Sequence, residues 1–271
     1  MSERPHRLYD LVRLPFRRGR VLWSPDTGDG YQLVSFLSRL EARIFRASGR
    51  EEYRDLGSGL VTNVGVMALA NDFNWAQNVQ TLKLANWHAT GTGATAATAS
   101  DLALQTPQSP TTSNGVSGTQ SLVSAANSQT YKTVATINYT GTLAITEWGL
   151  HTAQVLSATT GTPFTATTAT SATATGTPYS ASSGTVQGEQ QLIVLPGTTA
   201  VYMLVTSNTT SVLNGPAWYK TADGTAGSTP GSTETFTLKP VMIDHKVFSS
   251  ISVNNGDSIQ FQYSLLVNSG G

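Results

Sequence analysis

Imidazoles, carboxylates and indoles are the groups in this sequence best suited to chemistry. Four His are present (His6, His88, His151, His245) and no Cys, which removes disulfides, thiolate nucleophiles and Cys-ligated metals. No two His fall at metal-ligand spacing. His151 lies four residues after Glu147, and His245 directly follows Asp244. A fold can bring such pairs together for proton transfer, but ordinary strand and turn residues are the expectation. Patterns of the H-E-x-x-H, G-x-S-x-G and P-loop kinds are missing. The run Gly91-Thr92-Gly93-Ala94-Thr95-Ala96 fits a degenerate dinucleotide fingerprint, yet such a match is cheap in an Ala/Thr-rich tract and no second βα unit supports it. Asp26-Thr27-Gly28 has the form of an aspartic-protease tripeptide without a second copy. Asp26 and Asp29 are too few oxygens for calcium, so this stretch reads as a turn. Trp75, Trp87, Trp148 and Trp218 offer either a sugar-stacking surface or core packing, with core the expectation. A hydrolase using Glu147 needs a second carboxylate, and none is identifiable. No catalytic residue, metal or cofactor is therefore assigned, and the chain is expected not to be an enzyme.

The elements that carry these residues are mostly strands. Over 271 residues, apolar side chains make up 39% and charged ones only 12%, about half the usual charged share. Thr fills the gap with 40 residues, beside 25 Gly. Thr is β-branched and favours strands, and Gly serves turns. The 22 aromatic residues (5 Trp, 9 Tyr, 8 Phe) argue against disorder. No apolar run approaches a membrane span and no secretory h-region opens the chain, so a soluble protein made in a cytoplasm is expected.

Net charge is zero but unevenly spread. All eleven Arg lie between Arg4 and Arg54, with eight acids up to Asp55. Beyond Asp55 come five Lys and eight acids. This shift places a boundary near Gly57, separating an Arg-rich N-terminal arm (1–56) from a Thr-rich body (57–271). In the arm, residues 4–20 mix Arg13, Arg17, Arg18 and Arg20 with Leu8, Leu11, Leu14 and Phe16. A turn-rich stretch follows at 24–30. Residues 31–46 read as an amphipathic helix, with Leu33, Phe36, Leu37, Leu40 and Ile44 on one side and Arg39, Arg43 and Arg46 on the other. Arg mixed with large apolar groups is interface composition. Nucleic acid is not the expected partner, because acids are interleaved and no stacking platform accompanies the Arg.

In the body, residues 61–73 fit a second short helix and 80–88 a strand. Residues 105–130, with Pro107, Pro110, Gly115 and Gly118, read as loop. Alternation from Tyr131 to Tyr139 gives a strand, followed by strands at 143–150, 190–195, 200–206, 233–239, 241–248 and 250–253. The clearest is the strand that ends the chain, with Ile259, Phe261, Tyr263, Leu265 and Val267 on one face, after the hairpin turn Asn254-Asn255-Gly256-Asp257. Between Glu147 and Glu189 no formally charged residue occurs, and 156–185 reads as a low-complexity surface insertion, with ordered strands as the alternative. The fold class is mainly β: an antiparallel β-sandwich or jelly-roll body with an arm containing one or two short helices.

Three stretches of the body carry a resemblance. They are 61–104, through Trp87-His88-Ala89-Thr90-Gly91 to Asp101-Leu102-Ala103-Leu104; 131–150, ending Thr146-Glu147-Trp148-Gly149-Leu150; and 247–267, with Asn254-Asn255-Gly256-Asp257-Ser258-Ile259. They resemble virion proteins of tailed bacteriophages, the capsid cement (decoration) proteins and related fibre or tail modules. The resemblance implies a non-enzymatic β-sandwich component of the particle, often a homotrimer, located on the virion and assembled in the host cytoplasm. The expected partner is the major capsid protein, held through Arg13, Phe16, Arg17, Arg18, Arg20, Leu33, Phe36, Leu37, Arg39, Leu40, Arg43 and Ile44. A tail or fibre component contacting the host, and a carbohydrate-binding module using Trp148 and Glu147, are the alternatives. The arm and the 156–185 tract lie outside the resemblance.

Overall fold

The computed structural model describes residues 34–72, 84–108, 115–125, 128–153, 159–160, 164–174, 191–195 and 200–269. Its first part holds strands β1 (Val34–Phe45), β2 (Glu51–Gly57) and β3 (Leu60–Val61), then helix α1 (Asn63–Asp72). Next come β4 (Trp87–Gly91), β5 (Pro107–Gln108), β6 (Val116–Ser117), β7 (Thr119–Ala125), β8 (Ser128–Asn138) and β9 (Leu143–His151). The middle part has β10 (Thr159–Thr160), β11 (Phe164–Thr168), β12 (Ser171–Ala174), β13 (Gln191–Leu195) and β14 (Val201–Leu204). It continues with β15 (Ser207–Asn208), β16 (Val212–Asn214), β17 (Tyr219–Lys220) and β18 (Thr237–Pro240). Two long strands, β19 (Met242–Val253) and β20 (Ser258–Ser269), close the fold.

The protein is mainly β, and every pairing between these strands is antiparallel. Sheet one runs β2-β1-β20-β8-β7 and sheet two β3-β19-β9-β4-β5, with β6 also on β4. They pack face to face as a sandwich. Leu40, Ile137, Phe261 and Tyr263 from sheet one meet Trp148, Leu150, Ile243 and Ile251 from sheet two in one core. Trp148 stacks on Tyr263, ring centres 5.5 Å apart.

Residues 34–45 form a strand where the sequence reading expects a helix. Leu37, Leu40 and Ile44 fit a helical stripe, but Ser38, Leu40, Ala42 and Ile44 are all buried while Arg39 and Arg43 are exposed. That is a two-residue period whose buried face includes two small residues. Twelve consecutive pairings with β20 and six with β2 override the local helical signal. The composition boundary near Gly57 therefore crosses a continuous sheet, and the segment from Val34 onward belongs to the sandwich. The second expected helix is present as α1, with Val64 and Ala68 in the core. The loop expected over 105–130 is corrected too, because β7 pairs with β8 over seven residues.

The expected strands at 143–150 and 259–267 correspond to β9 and β20. Segments 241–248 and 250–253 join into β19, irregular against β9 between Val247 and Ile251. In the turn before β20, Gly256 adopts φ +87°, a conformation that other residues rarely take. Asp257 accepts the backbone N–H of Asn254 and of Ala47, and Arg46 donates to it. These bonds tie the β19–β20 turn to the β1–β2 turn.

Everything from β10 to β18 is inserted between β9 and β19. The neck is closed by Thr152 N–H to the Val241 carbonyl (3.0 Å) and by Val241 N–H to the Thr152 hydroxyl (3.1 Å). Sheet three (β10-β18-β13-β14-β17) and sheet four (β11-β12-β16-β15) lie in this insertion, so part of the 156–185 tract is ordered strand. Alternate residues of sheet three serve two cores. Leu192, Val194, Tyr202 and Leu204 enter the main core. Ile193, Leu195, Val201 and Met203 join Phe164, Trp218 and Phe236 in a second one.

Candidate functional site

Glu147, His245 and Asp101 meet on the face of sheet two turned away from sheet one. Residues 92–106 cross that face between β4 and β5, with Leu104 packed beside Ala89 and Met242. Glu147 anchors this connection. Its Oε1 accepts the N–H of Gly93 (3.0 Å) and Thr106 (2.7 Å), and its Oε2 accepts that of Gln105 (2.9 Å). His245 lies between two carboxylates, Nε2 3.1 Å from Glu147 Oε2 and Nδ1 2.7 Å from Asp101 Oδ2. The side chains of His245 and Glu147 are fully buried, and Asp101 is 19% exposed.

Burial alone pushes the Glu147 carboxyl up. The hydrogen bonds from His245 and the three amides more than offset that push and hold it below the usual carboxylate range. For His245, burial pushes down, while hydrogen bonds to Glu147 and Asp101 raise it above the ordinary imidazole value. Both hydrogen bonds thus act in favour of the protonated imidazole. One carboxylate sits on each ring nitrogen, so the three groups do not converge on a point. Among the described residues no group of His, Asp or Glu is arranged to hold a metal.

Two further polar groups are buried nearby. Asp244 faces sheet one and accepts from the Tyr263 hydroxyl (3.1 Å), and burial pushes its carboxyl up to about 6. His88 Nδ1 accepts the Trp148 indole N–H (3.2 Å), leaving Nε2 to donate to the Thr133 hydroxyl (3.1 Å). Burial lowers His88 to about 3 and His151 to about 4, so both are neutral. With Glu147 and His245 sealed from solvent, this network can store a proton and hold the covering segment. Asp101 is its partly exposed member.

In sequence His151 lies near Glu147 and His245 beside Asp244. The structure pairs His245 with Glu147 and Asp101 instead. Neighbouring residues on a strand point to opposite faces, so Asp244 and His245 cannot share a site. His245 is 98 positions from Glu147 and 144 from Asp101, and no spacing rule signals them. Gly91 and Gly93 in the fingerprint-like run serve close approach: a Cβ on Gly91 would overlap Glu147 Oε1 and the Thr106 carbonyl. Trp148 and Trp218 are core residues, 0% and 2% exposed, so neither is a sugar-stacking surface.

Of the expected partner-binding residues, Leu40 and Ile44 are fully buried in the protein's own core. They are not free to fill a groove in another subunit, which corrects that assignment. Leu37 is half-buried. Phe36 pairs with Val267 through the β1 backbone, and its side chain lies outside the described residues. Arg39 and Arg43 are exposed on the outer face of sheet one, Arg39 2.8 Å from Asp55 and Arg43 4.0 Å from Glu51. Arg13, Phe16, Arg17, Arg18, Arg20 and Leu33 lie outside the described residues, as does the 24–30 turn. Beside this face, Arg54, Asp55, Lys246, Phe248 and Ser249 line an open cleft of ≈ 440 Å³. Lys246 donates there to the Ser58 carbonyl and Arg54 to that of Ser250. No family model, no curated protein and no solved structure matches the chain.

Proposed function

We propose that this chain is a non-enzymatic structural component of a tailed-bacteriophage particle, a decoration protein that binds the outer capsid surface and stabilises the shell. The observation that carries the reading is how the three resembling stretches assemble. β4 from the first pairs with β9 from the second, and β8 and β9 pair with β20 and β19 of the third. The three stretches thus supply central strands of both facing sheets and meet in one core, as expected when a resemblance marks a module. The sealed state of the Glu147–His245 network supports a structural role for the most chemically suggestive residues.

Attachment rests on the Arg-rich segment before β1. Arg13, Arg17, Arg18 and Arg20 supply bidentate donors for capsid carboxylates, and Phe16 supplies an apolar anchor. Arg39 and Arg43 add exposed guanidinium groups on β1. Their existing partners Asp55 and Glu51 must be exchanged on binding, so their contribution is the weaker. Leu40 and Ile44 fix the root of the segment in the core, so force on it is borne by the sandwich. Several copies bridging neighbouring capsid subunits gain from effective concentration.

The test is quantitative mass spectrometry of purified particles, with binding of the full chain and of a chain lacking residues 1–32 to undecorated capsids. Copy numbers approaching that of the major capsid protein, with binding lost on truncation, support the proposal. A handful of copies per particle moves the chain to the tail, and undiminished binding by the truncated chain refutes the attachment mechanism.

A further inference from the structure

The connection over residues 92–106 is held to sheet two by two different means. Near its ends, Gly93, Gln105 and Thr106 donate backbone N–H groups to Glu147, and those bonds need only the carboxylate. Its middle is held through Asp101. That side chain shapes its own turn, accepting the Thr98 N–H on Oδ2 (2.8 Å) and the Thr98 hydroxyl on Oδ1 (2.6 Å). The turn presents the Ala99 carbonyl to the N–H of Asn63, where α1 begins (2.7 Å). Asp101 Oδ2 then meets His245 Nδ1 on the sheet. A neutral imidazole has one N–H and one lone pair, and only the protonated ring donates from both nitrogens. His245 faces a carboxylate on each nitrogen, so keeping both bonds takes a second proton.

We propose that His245 is a proton-operated latch: with two ring protons it ties Asp101 and the middle of the 92–106 connection to sheet two, and with one it lets that middle lift while Glu147 keeps the ends in place. The proton that leaves is the one on Nδ1. Glu147 is sealed from solvent and already accepts three amides, so it keeps the N–H on Nε2. Asp101 is the partly exposed partner. It gives the proton its route to solvent, and its carboxylate turns to water once Nδ1 offers a lone pair. The other groups around the ring leave this choice intact. His151 on β9 is neutral, burial lowering it to about 4. Asp244 and Lys246 flank His245 on β19 but point to the opposite face, towards Tyr263 and the Ser58 carbonyl. β4 places His88 on that same opposite face, beside Trp148 and Thr133. β3 carries no charged residue, α1 none before Asp72, and the connection only Asp101. Burial pushes His245 down, but the hydrogen bonds to Glu147 and Asp101 raise it above 6.5. The latch is therefore closed below that value and opens as pH rises through the raised folded pKa. The device does not depend on the particle assignment.

Nuclear magnetic resonance of the full chain reads both parts of the connection at once. The His245 ring nitrogens report loss of the proton, and amide exchange, expressed as protection relative to an unstructured chain, reports the backbone. As pH rises from below 6.5, protection at Thr98, Asp101 and Asn63 falls about tenfold or more in step with the His245 titration. Protection at Gly93, Gln105 and Thr106 stays unchanged over the same range. Asp101→Asn presents no second carboxylate to His245, so in that variant Thr98 and Asn63 lose the pH step. The comparison within the wild-type chain stands without the variant. Protection that stays flat while His245 titrates, that falls equally at Gly93 and Thr106, or that keeps its pH step in Asp101→Asn overturns the proposal.

Discussion

Replacing Glu147 by Gln removes one charge and almost no volume, so its effect reads the buried polar network directly. Glu147 accepts four hydrogen bonds, two on each oxygen: Gly93 and Thr106 N–H on Oε1, Gln105 N–H and His245 on Oε2. A Gln amide puts an NH₂ where one oxygen was, facing donors. In its best orientation the NH₂ donates to a deprotonated His245 and strands the Gln105 N–H. One buried unsatisfied donor costs about 1–3 kcal/mol, and losing the charge partner of His245 adds to that. The expected destabilisation is about 3 kcal/mol, or about 5 °C in melting temperature for a chain of this size.

The pH dependence has a definite sign. Glu147 is held below its ordinary value of 4.5, so its contribution is present above that value and is lost as pH falls through the depressed folded pKa. His245 is raised above 6.5, so its contribution is complete below 6.5 and declines as pH rises through the raised folded pKa. The gap between wild type and Glu147→Gln is therefore widest between these limits. It narrows in acid, where wild-type Glu147 becomes protonated and Gln mimics it. Urea unfolding of both chains across this range, followed by circular dichroism, measures the gap. A difference under about 1 kcal/mol at neutral pH, or one that does not shrink in acid, refutes the reasoning.

Three other perturbations probe the same architecture. Gly91→Ala forces a methyl against Glu147 Oε1 and the Thr106 carbonyl and should destabilise by about 1–3 kcal/mol, with amide exchange faster over 92–106. Trp148→Ala empties a fully buried site between Tyr263 and His88 and should cost about 3–5 kcal/mol, measured by calorimetry; an unchanged melting temperature contradicts the burial. Replacing residues 154–239 with a short Gly-Ser linker leaves the Thr152–Val241 neck intact but strips Leu192, Val194, Tyr202 and Leu204 from the main core. Each such side chain contributes about 1.5–3 kcal/mol, so the shortened chain should lose sharp amide dispersion in NMR; a native-like spectrum means that the sandwich stands without its insertion.

What local sequence determined was strand content and the best-patterned strands. β8 from Thr133 to Asn138 and β20 from Ile259 to Leu265 alternate buried with less buried side chains, and the Asn-Asn-Gly-Asp turn fixes the hairpin into β20, because a two-residue period and a positive-φ glycine are local properties. β1 was ambiguous at that level. Its large apolar residues fit a helical stripe, and only pairing with β20 and β2 decided that Ser38 and Ala42 share their face. β7 carried no periodic signal, since an edge strand exposed on both faces has no buried side to mark. Only the first part of the insertion, 156–185, stood out by composition; its strands near 190–195, 200–206 and 233–239 read as part of the body. Its two-core packing was not visible, because a strand buried on both faces reads simply as a run of apolar residues. The polar network lay furthest from view. Asp101, Glu147 and His245 are brought together by strand order and by a covering segment, and adjacency in sequence misleads wherever successive side chains point to opposite faces of a sheet.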